Sequence, residues 1–428
     1  MPRGERPLDA GDSMLLRFAA DLRLLRKKAG NPTYRQLARS AHAVLPRLSG
    51  EVESLRFIHN GRILVGALYD GTVRLWDTSD RRAPEPLVTL TASAKPLFTV
   101  ALTTDEQTMA TAGEDGTVRL WDVTDAYHPQ ALPVLTGHKG QVKSVAFSPA
   151  GDLLVSGGID GAVRLWRITE PSRPTPLAEI DAHVEGIRSV AFHPSGGLVA
   201  SASPSDSVVR LWDVRDPRHP RSAGALPPQG SGTLALAFAP DGRTLATTQE
   251  KAVALWDVTD PGRPTPLARA EGHTDHVQGV AFAPDGRTLA TAGLDSTLRL
   301  WDLSGRRKVA ALSVSHGHTD AISSVAFAPR GPLLATAGLD RTVRLWDFSD
   351  RRAPVALAAL TGHTDRVYSA AFSRSGGHLV TSGEDRTVRL WQVDPEQVAG
   401  RVCDLSFPRI PAPEWSRHFA DLAYRPPC

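Results

Sequence analysis

Histidine and aspartate recur close together along this 428-residue chain, in patterns that could support chemistry. The stretch HTDH holds His273 and His276, and HGH holds His316 and His318, at spacings that suit a pair of metal ligands. Histidine, aspartate and a serine or threonine together also make nucleophilic catalytic sites. No G-x-x-x-x-G-K-[ST] loop and no G-x-S-x-G turn accompanies them. The elements that carry these side chains decide which chemistry is possible.

A ten-residue phrase, GEDGTVRLWD at residues 113–122, returns along the chain with small changes. Its tryptophan marks the period, because successive members of the series lie 45, 45, 46, 44, 45, 45 and 45 residues apart. A fixed period of this length is the signature of a repeat architecture. The series consists of Trp76, Trp121, Trp166, Trp212, Trp256, Trp301, Trp346 and Trp391.

Each unit predicts four short antiparallel strands. In residues 266–302, PLARA, VQGVAFA, TLATAG and TLRLWD are the strands, and EGHTDH, PDG and LD are the connections. One such sheet cannot bury both faces, whereas eight sheets around an axis cover one another. The sequence therefore predicts an all-β, eight-bladed propeller over residues 42–396. We expect residues 41–47 to close the ring by pairing with 387–391; residues 398–405 are the alternative, which their helical pattern disfavours.

At this point the sequence resembles the WD40 family, with its Gly-His and Trp-Asp signatures. The resemblance implies a buried tetrad in each complete blade, formed by a histidine, a hydroxyl, an aspartate and the tryptophan. Such a network stabilises a fold when every polar group in it is paired. The matching residues are His138, Ser156, Asp160 and Trp166; His183, Ser201, Asp206 and Trp212; His273, Thr291, Asp295 and Trp301; His318, Thr336, Asp340 and Trp346; and His363, Thr381, Asp385 and Trp391.

Three units depart from this pattern. The second has Ser93 where histidine is expected, the first has Leu48 and Gly66 for the histidine and the hydroxyl, and the fifth has Gln229 and Glu250 for the histidine and the aspartate. We expect those blades to be the least stable. The resemblance gives the His–Asp pairs a structural role, and we predict no catalytic, cofactor or metal site and no enzyme activity.

The N-terminal arm, residues 1–41, differs in character. Residues 1–50 hold ten Lys/Arg and four Asp/Glu, and residues 12–30 predict an amphipathic helix followed by a second short one. Residues 18–39 resemble the first two helices of Cro/repressor-type helix-turn-helix domains. The third, DNA-reading helix is missing, because Pro46 and the first repeat follow at once. We expect an arm that packs or docks a partner; the alternative is DNA binding.

The C-terminal tail, residues 397–428, predicts two short helices that pack on the propeller and resembles the ends of actinobacterial WD40 proteins. It holds both cysteines, Cys403 and Cys428. The chain shows no apolar span for a bilayer and no secretory signal, so we expect a cytoplasmic protein with reduced thiols and no membrane association.

Two functions remain open at this stage. The first is a non-enzymatic scaffold that binds proteins or peptides, because a propeller displays loops on a rigid disc. The second is a DNA-binding transcriptional regulator with a sensing or docking propeller, which the truncated arm disfavours. We expect the partner to bind the face that carries the histidine loops and Asp turns. The candidate residues there are Tyr69, Glu114, Lys143, Ile159, Arg188, Gln278, Leu294, Ser323, Leu339, Tyr368 and Glu384, and we expect the three aliphatic and two aromatic ones to lie in exposed loops.

Overall fold

Strands form wherever a short apolar run lies between Gly, Asp or Pro turns, as the pattern predicts. The computed structural model describes residues 42–45, 47–80, 83–205, 208–226, 235–260, 263–305 and 308–394. The helices predicted in the arm and in the tail, together with Cys403 and Cys428, lie outside these ranges and stay predictions. Within the described ranges, no helix has the length and apolar character that crossing a bilayer requires.

The first four blades are antiparallel sheets whose strands pair in chain order. A short 3-10 turn, His59–Gly61, follows β2. The strands are β2 (Val52–Ile58), β3 (Ile63–Leu68), β4 (Thr72–Asp77) and β5 (Glu85–Thr91) in blade 1; β6 (Leu97–Leu102), β7 (Thr108–Gly113), β8 (Val118–Asp122) and β9 (Gln130–Leu135) in blade 2; β10 (Val142–Phe147), β11 (Leu153–Gly158), β12 (Ala162–Arg167) and β13 (Thr175–Asp181) in blade 3; and β14 (Ser189–Phe192), β15 (Leu198–Ala202), β16 (Val209–Asp213) and β17 (Arg221–Leu226) in blade 4.

The next four blades repeat this arrangement, and the last one borrows a strand from the start of the chain. The strands are β18 (Leu236–Phe238), β19 (Thr244–Gln249), β20 (Ala252–Asp257) and β21 (Thr265–Glu271) in blade 5; β22 (Val277–Phe282), β23 (Thr288–Gly293), β24 (Thr297–Gly305) and β25 (Lys308–His316) in blade 6; β26 (Ile322–Phe327), β27 (Leu333–Gly338), β28 (Thr342–Asp347) and β29 (Val355–Thr361) in blade 7; and β30 (Val367–Phe372), β31 (His378–Gly383), β32 (Val388–Gln392) and β1 (His42–Val44) in blade 8.

The N-terminal segment closes the ring, which confirms the predicted pairing. His42 pairs with Trp391 and Val44 with Arg389. Leu45 N then donates to the Val388 carbonyl at 2.9 Å. The innermost strands contact one another in sequence around the axis, and β2 contacts β30. The described residues thus form eight four-stranded sheets in a closed eight-bladed propeller.

The core lies between blades. Each of eight apolar clusters combines residues of two neighbouring sheets, so that every blade face is covered by the next blade. Trp121 of blade 2, for example, packs against Ile63 and Val65 of blade 1. Leu45 and Leu48 belong to the cluster between blades 8 and 1, so the closing segment contributes to the core as well as to a sheet.

Candidate functional site

Four blades place a histidine, a hydroxyl, an aspartate and a tryptophan in one hydrogen-bonded chain. In blade 7, His318 Nδ1 lies 3.0 Å from Asp340 Oδ2, and His318 Nε2 lies 2.8 Å from Thr336 Oγ1. Trp346 Nε1 donates to the same hydroxyl at 2.9 Å. Blades 3, 6 and 8 repeat the arrangement with His138, Ser156, Asp160 and Trp166; His273, Thr291, Asp295 and Trp301; and His363, Thr381, Asp385 and Trp391.

In blade 4, three of the four predicted tetrad residues are in contact. His183 Nε2 lies 2.9 Å from Ser201 Oγ, and Trp212 Nε1 donates to that oxygen at 3.0 Å. The fourth, Asp206, lies outside the described residues. Arg210 Nη1 lies 2.8 Å from His183 Nδ1. The inner half of the network is therefore the same as in the other blades.

The direction of the hydrogen bonds in such a network follows from the chemistry of its groups. A carboxylate only accepts hydrogen bonds, so His318 Nδ1 must carry the proton and Nε2 accepts from the Thr336 hydroxyl. This is also the order of a serine-protease triad. Here, however, solvent does not reach the hydroxyl at all, and its oxygen is occupied by the tryptophan N–H. A substrate cannot contact this oxygen in the folded state.

Burial fixes the charge of the network. Because burial disfavours the imidazolium, the pKa values of His138, His273 and His363 lie below the usual value, despite the neighbouring carboxylates. Burial opposes ionisation of Asp340 as well, but hydrogen bonds from His318 and Thr342 outweigh it, and the pKa of this carboxyl is well below its usual range. At neutral pH the histidines of blades 3, 6 and 8 are therefore neutral, and Asp340 is a carboxylate.

Blades 1 and 2 lack the histidine and satisfy the aspartate in another way. In blade 2, Asp115 accepts from Ser93 and, at 3.0 Å, from Arg119 Nη2. In blade 1, Asp70 accepts from Ser49, and Arg74 lies within ion-pair distance at 3.6 Å. A serine and an arginine thus take over the donor role of the imidazole, a compensation that the sequence pattern did not reveal.

Blade 5 departs furthest from the repeat. Trp256 Nε1 still donates to Thr247 Oγ1 at 3.1 Å. Glu250, however, is exposed, with a left-handed φ of 39°, and its side chain makes no hydrogen bond or ion pair with the described residues. Ala254 stands where the other blades have the arginine of the VRLW phrase. Gln229, which replaces the histidine, lies outside the described residues. Among the described residues, blade 5 thus shows the inner, Trp–hydroxyl end of the network.

The arginine of the repeated phrase explains the glycine of the Gly-His pair. Arg389 Nη2 donates to the Gly362 carbonyl at 2.6 Å, and Arg164 Nη2 donates to the Gly137 carbonyl at 2.8 Å. Gly362 has a φ of 145°, and a Cβ there would lie 2.5 Å from Arg389 Nη1. Only glycine allows the guanidinium this close to the loop that carries His363.

The two members of each histidine pair with metal-like spacing lie in different environments. His273 and His318 are buried in their networks, whereas His276 and His316 are exposed. His276 Nδ1 lies 3.0 Å from Asp275 Oδ1 in its own loop. Among the residues that the structure describes, there is no group of three or more His, Cys, Asp or Glu side chains that could hold a metal ion.

The histidine face, which carries the loops before the innermost strands and the Asp turns, contains the predicted partner-binding residues. Six of the eight described innermost strands skip one residue of the register at their start, as in the shift between Val142 and Ser144. Arg188 holds the same position in blade 4. These seven residues, named the bulge ring, are Glu53, Phe98, Lys143, Arg188, Gln278, Ser323 and Tyr368.

Two members of this ring, Glu53 and Phe98, were not among the predicted residues. The period could have found them, because 53, 98, 143 and 188 are spaced by 45 residues. Burial and Glu51 raise the pKa of the Glu53 carboxyl, and Arg188 and Lys143 oppose that shift. The charged side chains of blades 1, 3 and 4 therefore influence one another across the axis.

An open strip of aromatic and cationic groups crosses three blades on this face. Lys143 Nζ lies 3.6 Å from the centre of the Phe98 ring, a cation–π distance. The edge of that ring meets Tyr69, with 6.4 Å between ring centres. Tyr69 is 48% exposed. We name Tyr69, Phe98 and Lys143 the aromatic strip.

The remaining predicted residues fall into two groups. Ile159, Leu294 and Arg188 are exposed, as expected. Six others are half-buried: Glu114, Gln278, Ser323, Leu339, Tyr368 and Glu384.

Two of the half-buried residues are held by the fold itself. Tyr368, expected to be exposed, lies on β30, and its hydroxyl donates to Glu384 Oε2 at 2.8 Å. Burial and this bond raise the pKa of Tyr368 to about 12. Ser323 Oγ donates to the Val367 carbonyl at 2.6 Å. The histidine face is therefore open near blades 1 to 4 and internally bonded near blades 7 and 8.

Comparison with known families agrees with this architecture. A family described as WD domain, G-beta repeat matches more than half of the chain, at residues 40–77, 84–122, 130–167, 174–213, 264–302, 310–347 and 355–392. The chain therefore belongs to the WD40 repeat family. Seven repeats match, whereas the described residues form eight blades; the first three strands of blade 5 lie in the unmatched stretch 214–263. No curated protein matches the chain.

Proposed function

We propose that this protein is a non-enzymatic scaffold that binds one or more partner proteins or peptides on its histidine face, over the bulge ring and the aromatic strip. WD40 propellers are typically interaction scaffolds, which supports the class. The supporting observation within this chain is a contrast between neighbouring positions. Residues that the fold requires repeat from blade to blade, whereas each described blade has a different residue type in the bulge ring.

The contrast is clearest at the start of the innermost strands. The residue before each bulge is a buried Val, Leu or Ile, as at Val52, Leu97 and Val142. The bulge residue next to it is acidic, aromatic, basic or neutral polar, depending on the blade. Because the fold tolerates all of these types, folding does not dictate the choice. A bulge also re-aims a side chain, and bulges are frequent beside functional sites.

The aromatic strip gives this face its most favourable contact surface. Tyrosine, tryptophan and arginine side chains are enriched among the residues that dominate interface energies. Tyr69 and Phe98 offer apolar area, and Lys143 and Arg188 beside them offer positive charge. We infer a partner segment that combines an apolar or aromatic side chain with an acidic one.

Quantitative affinity capture tests this surface. Wild-type protein is compared with Tyr69→Ala/Phe98→Ala/Lys143→Glu and with a control, Arg263→Ala/Arg352→Ala, in exposed connectors between blades. We expect proteins retained by the wild type to be retained by the control and lost from the first variant. Retention by the first variant with loss from the control would place the site elsewhere.

The alternative from the sequence, a DNA-binding regulator, depends on residues 1–41, which lie outside the described residues. We propose that the arm does not bind DNA. A mobility-shift titration checks this, since phosphate contacts would produce an affinity that falls steeply with salt. We also propose a cytoplasmic location, for which two titratable thiols in the native protein are the expected result.

A further inference from the structure

One arginine, Arg56, occupies a position on the innermost strands that is alanine in the other seven blades. Arg56 lies in the middle of β2, opposite Val65 of β3. The same register position of every other innermost strand holds alanine. These residues are Ala101, Ala146, Ala191, Ala237, Ala281, Ala326 and Ala371. Because seven blades form with a methyl group here, the fold does not need an arginine at this position.

The environment of Arg56 is that of a channel. The innermost strands surround the axis and contact one another around the ring. Solvent reaches the Arg56 side chain. Surrounding protein nevertheless lowers the pKa of its guanidinium by burial alone, with no charged neighbour contributing to the shift. Both observations fit a side chain that lies in water but is enclosed by the eight blades.

Most N–H donors of the Arg56 guanidinium make no hydrogen bond to the described residues. Arg56 Nη1 donates to the carbonyl of Leu55 at 2.8 Å, and no other hydrogen bond or ion pair joins Arg56 to the described residues. An arginine side chain carries five N–H donors in a planar fork. The fork matches the oxygens of a carboxylate or a phosphate, which it can bind through two parallel bonds.

Hydroxyl groups flank this position. Residues two apart on a strand lie on the same side, so the position two residues before the ring shares its side. Six of these positions are Ser or Thr: Ser54, Thr99, Ser144, Ser189, Ser324 and Ser369. Toward the histidine face, Lys143 and Arg188 of the bulge ring stand at the entrance beside Glu53. An anion that enters from this face passes two cations and then strand positions that carry hydroxyl residues before it reaches Arg56.

We propose that the axial channel is a binding site for an oxyanion, a phosphate or a carboxylate group, held by the guanidinium of Arg56. An oxyanion satisfies the free N–H donors and neutralises a charge that no side chain of the described residues pairs. The site does not depend on the partner surface proposed above. The oxyanion is either a free small anion or an acidic group that a partner inserts along the axis.

The test uses Arg56→Ala, which makes the alanine ring uniform, with Arg56→Lys as the charge-retaining comparison. Inorganic phosphate and acetate are titrated separately into the full-length protein at constant ionic strength, and binding is followed by calorimetry and by the melting temperature. We expect one site per chain for at least one of the two anions, weakened about tenfold or more in Arg56→Ala and less in Arg56→Lys. Binding of phosphate points to a free anion or a phosphorylated group, and binding of acetate alone points to a carboxylate.

Two results would overturn the proposal. The first is equal affinity of wild type and Arg56→Ala for both anions, or no binding to the wild type. The second comes from anion-free buffer, where we expect Arg56→Ala to melt at or above the wild-type temperature, because alanine fits the other seven blades. A lower melting temperature of Arg56→Ala in that buffer would assign Arg56 to the fold rather than to a ligand.

Discussion

Replacement of Asp340 by alanine tests whether the buried networks stabilise the blades. Asp340 accepts from His318 Nδ1, from the backbone N–H groups of Thr319 and Thr342, each at 3.0 Å, and from Thr342 Oγ1 at 2.7 Å. The side chains of His318 and Asp340 are only 0% and 4% exposed. Loss of the carboxylate therefore removes the protein partner of a buried imidazole N–H, whereas water already reaches the exposed Thr319.

The expected loss of stability follows from these hydrogen bonds. A buried donor left without a partner costs about 1–3 kcal/mol, and the imidazole N–H is such a donor, with the Thr342 hydroxyl partly so. We expect Asp340→Ala to lower the free energy of unfolding by about 2–4 kcal/mol. Urea unfolding followed by tryptophan fluorescence measures the loss, because Trp346 belongs to the same network.

The matched control is Glu250→Ala, at the equivalent turn of blade 5. The Glu250 side chain is exposed and makes no hydrogen bond or ion pair with the described residues. We expect a change within about 0.5 kcal/mol, as for an ordinary surface substitution. Equal destabilisation by the two substitutions would refute the role given to the network.

Three further predictions follow from particular contacts. Gly362→Ala combines a φ of 145° with a Cβ 2.5 Å from Arg389, and it is expected to cost more than Gly331→Ala, where φ is 77° and nothing lies within 4 Å of the Cβ. Equal losses in urea unfolding would contradict both the backbone and the contact reason. In the closing segment, Leu45→Ala is expected to lower the free energy of unfolding by about 2–5 kcal/mol, and Val44→Ala by much less, because Leu45 is 1% and Val44 45% exposed. An unchanged melting temperature in Leu45→Ala would refute closure by the N-terminus. Stability is expected to fall as the pH drops below the ordinary histidine pKa of 6.5. The pKa values of His138, His273 and His363 are lowered in the folded protein, so the unfolded chain takes up protons first. A melting temperature that stays constant or rises as the pH drops through this range would contradict neutral buried histidines.

The period of the sequence predicted the architecture because the residues that set it are required by every blade. The tryptophan series predicted eight blades, including blade 5, whose Asp turn is lost but whose Trp256 and Thr247 still hydrogen-bond. Ring closure was predicted because only seven outer strands lie between the eight tryptophans, and residues 41–47 lie ninety residues before the equivalent outer strand at 131–137. The pairing of His42 with Trp391 confirms it.

Other features depend on geometry that periodicity does not encode. A bulge shifts one residue out of register without changing the spacing between blades, so the period relates Glu53 to Phe98 but does not show that both lie at a bulge, which only the strand pairing reveals. Tyr368 was expected to be exposed, but its bond to Glu384 depends on the approach of a turn and a strand 16 residues apart. The exchange of a histidine for a serine and Arg119 beside Asp115 likewise requires atomic distances.

The central claim is that a partner binds the histidine face. Amide hydrogen exchange of the full-length protein, alone and with a partner recovered by affinity capture, measures this most directly. We predict that the partner protects the turns at Tyr69, Glu114 and Ile159 and the starts of β6 and β10. Protection confined to the connectors that hold Arg263 and Arg352, with no change around the aromatic strip, would contradict the claim.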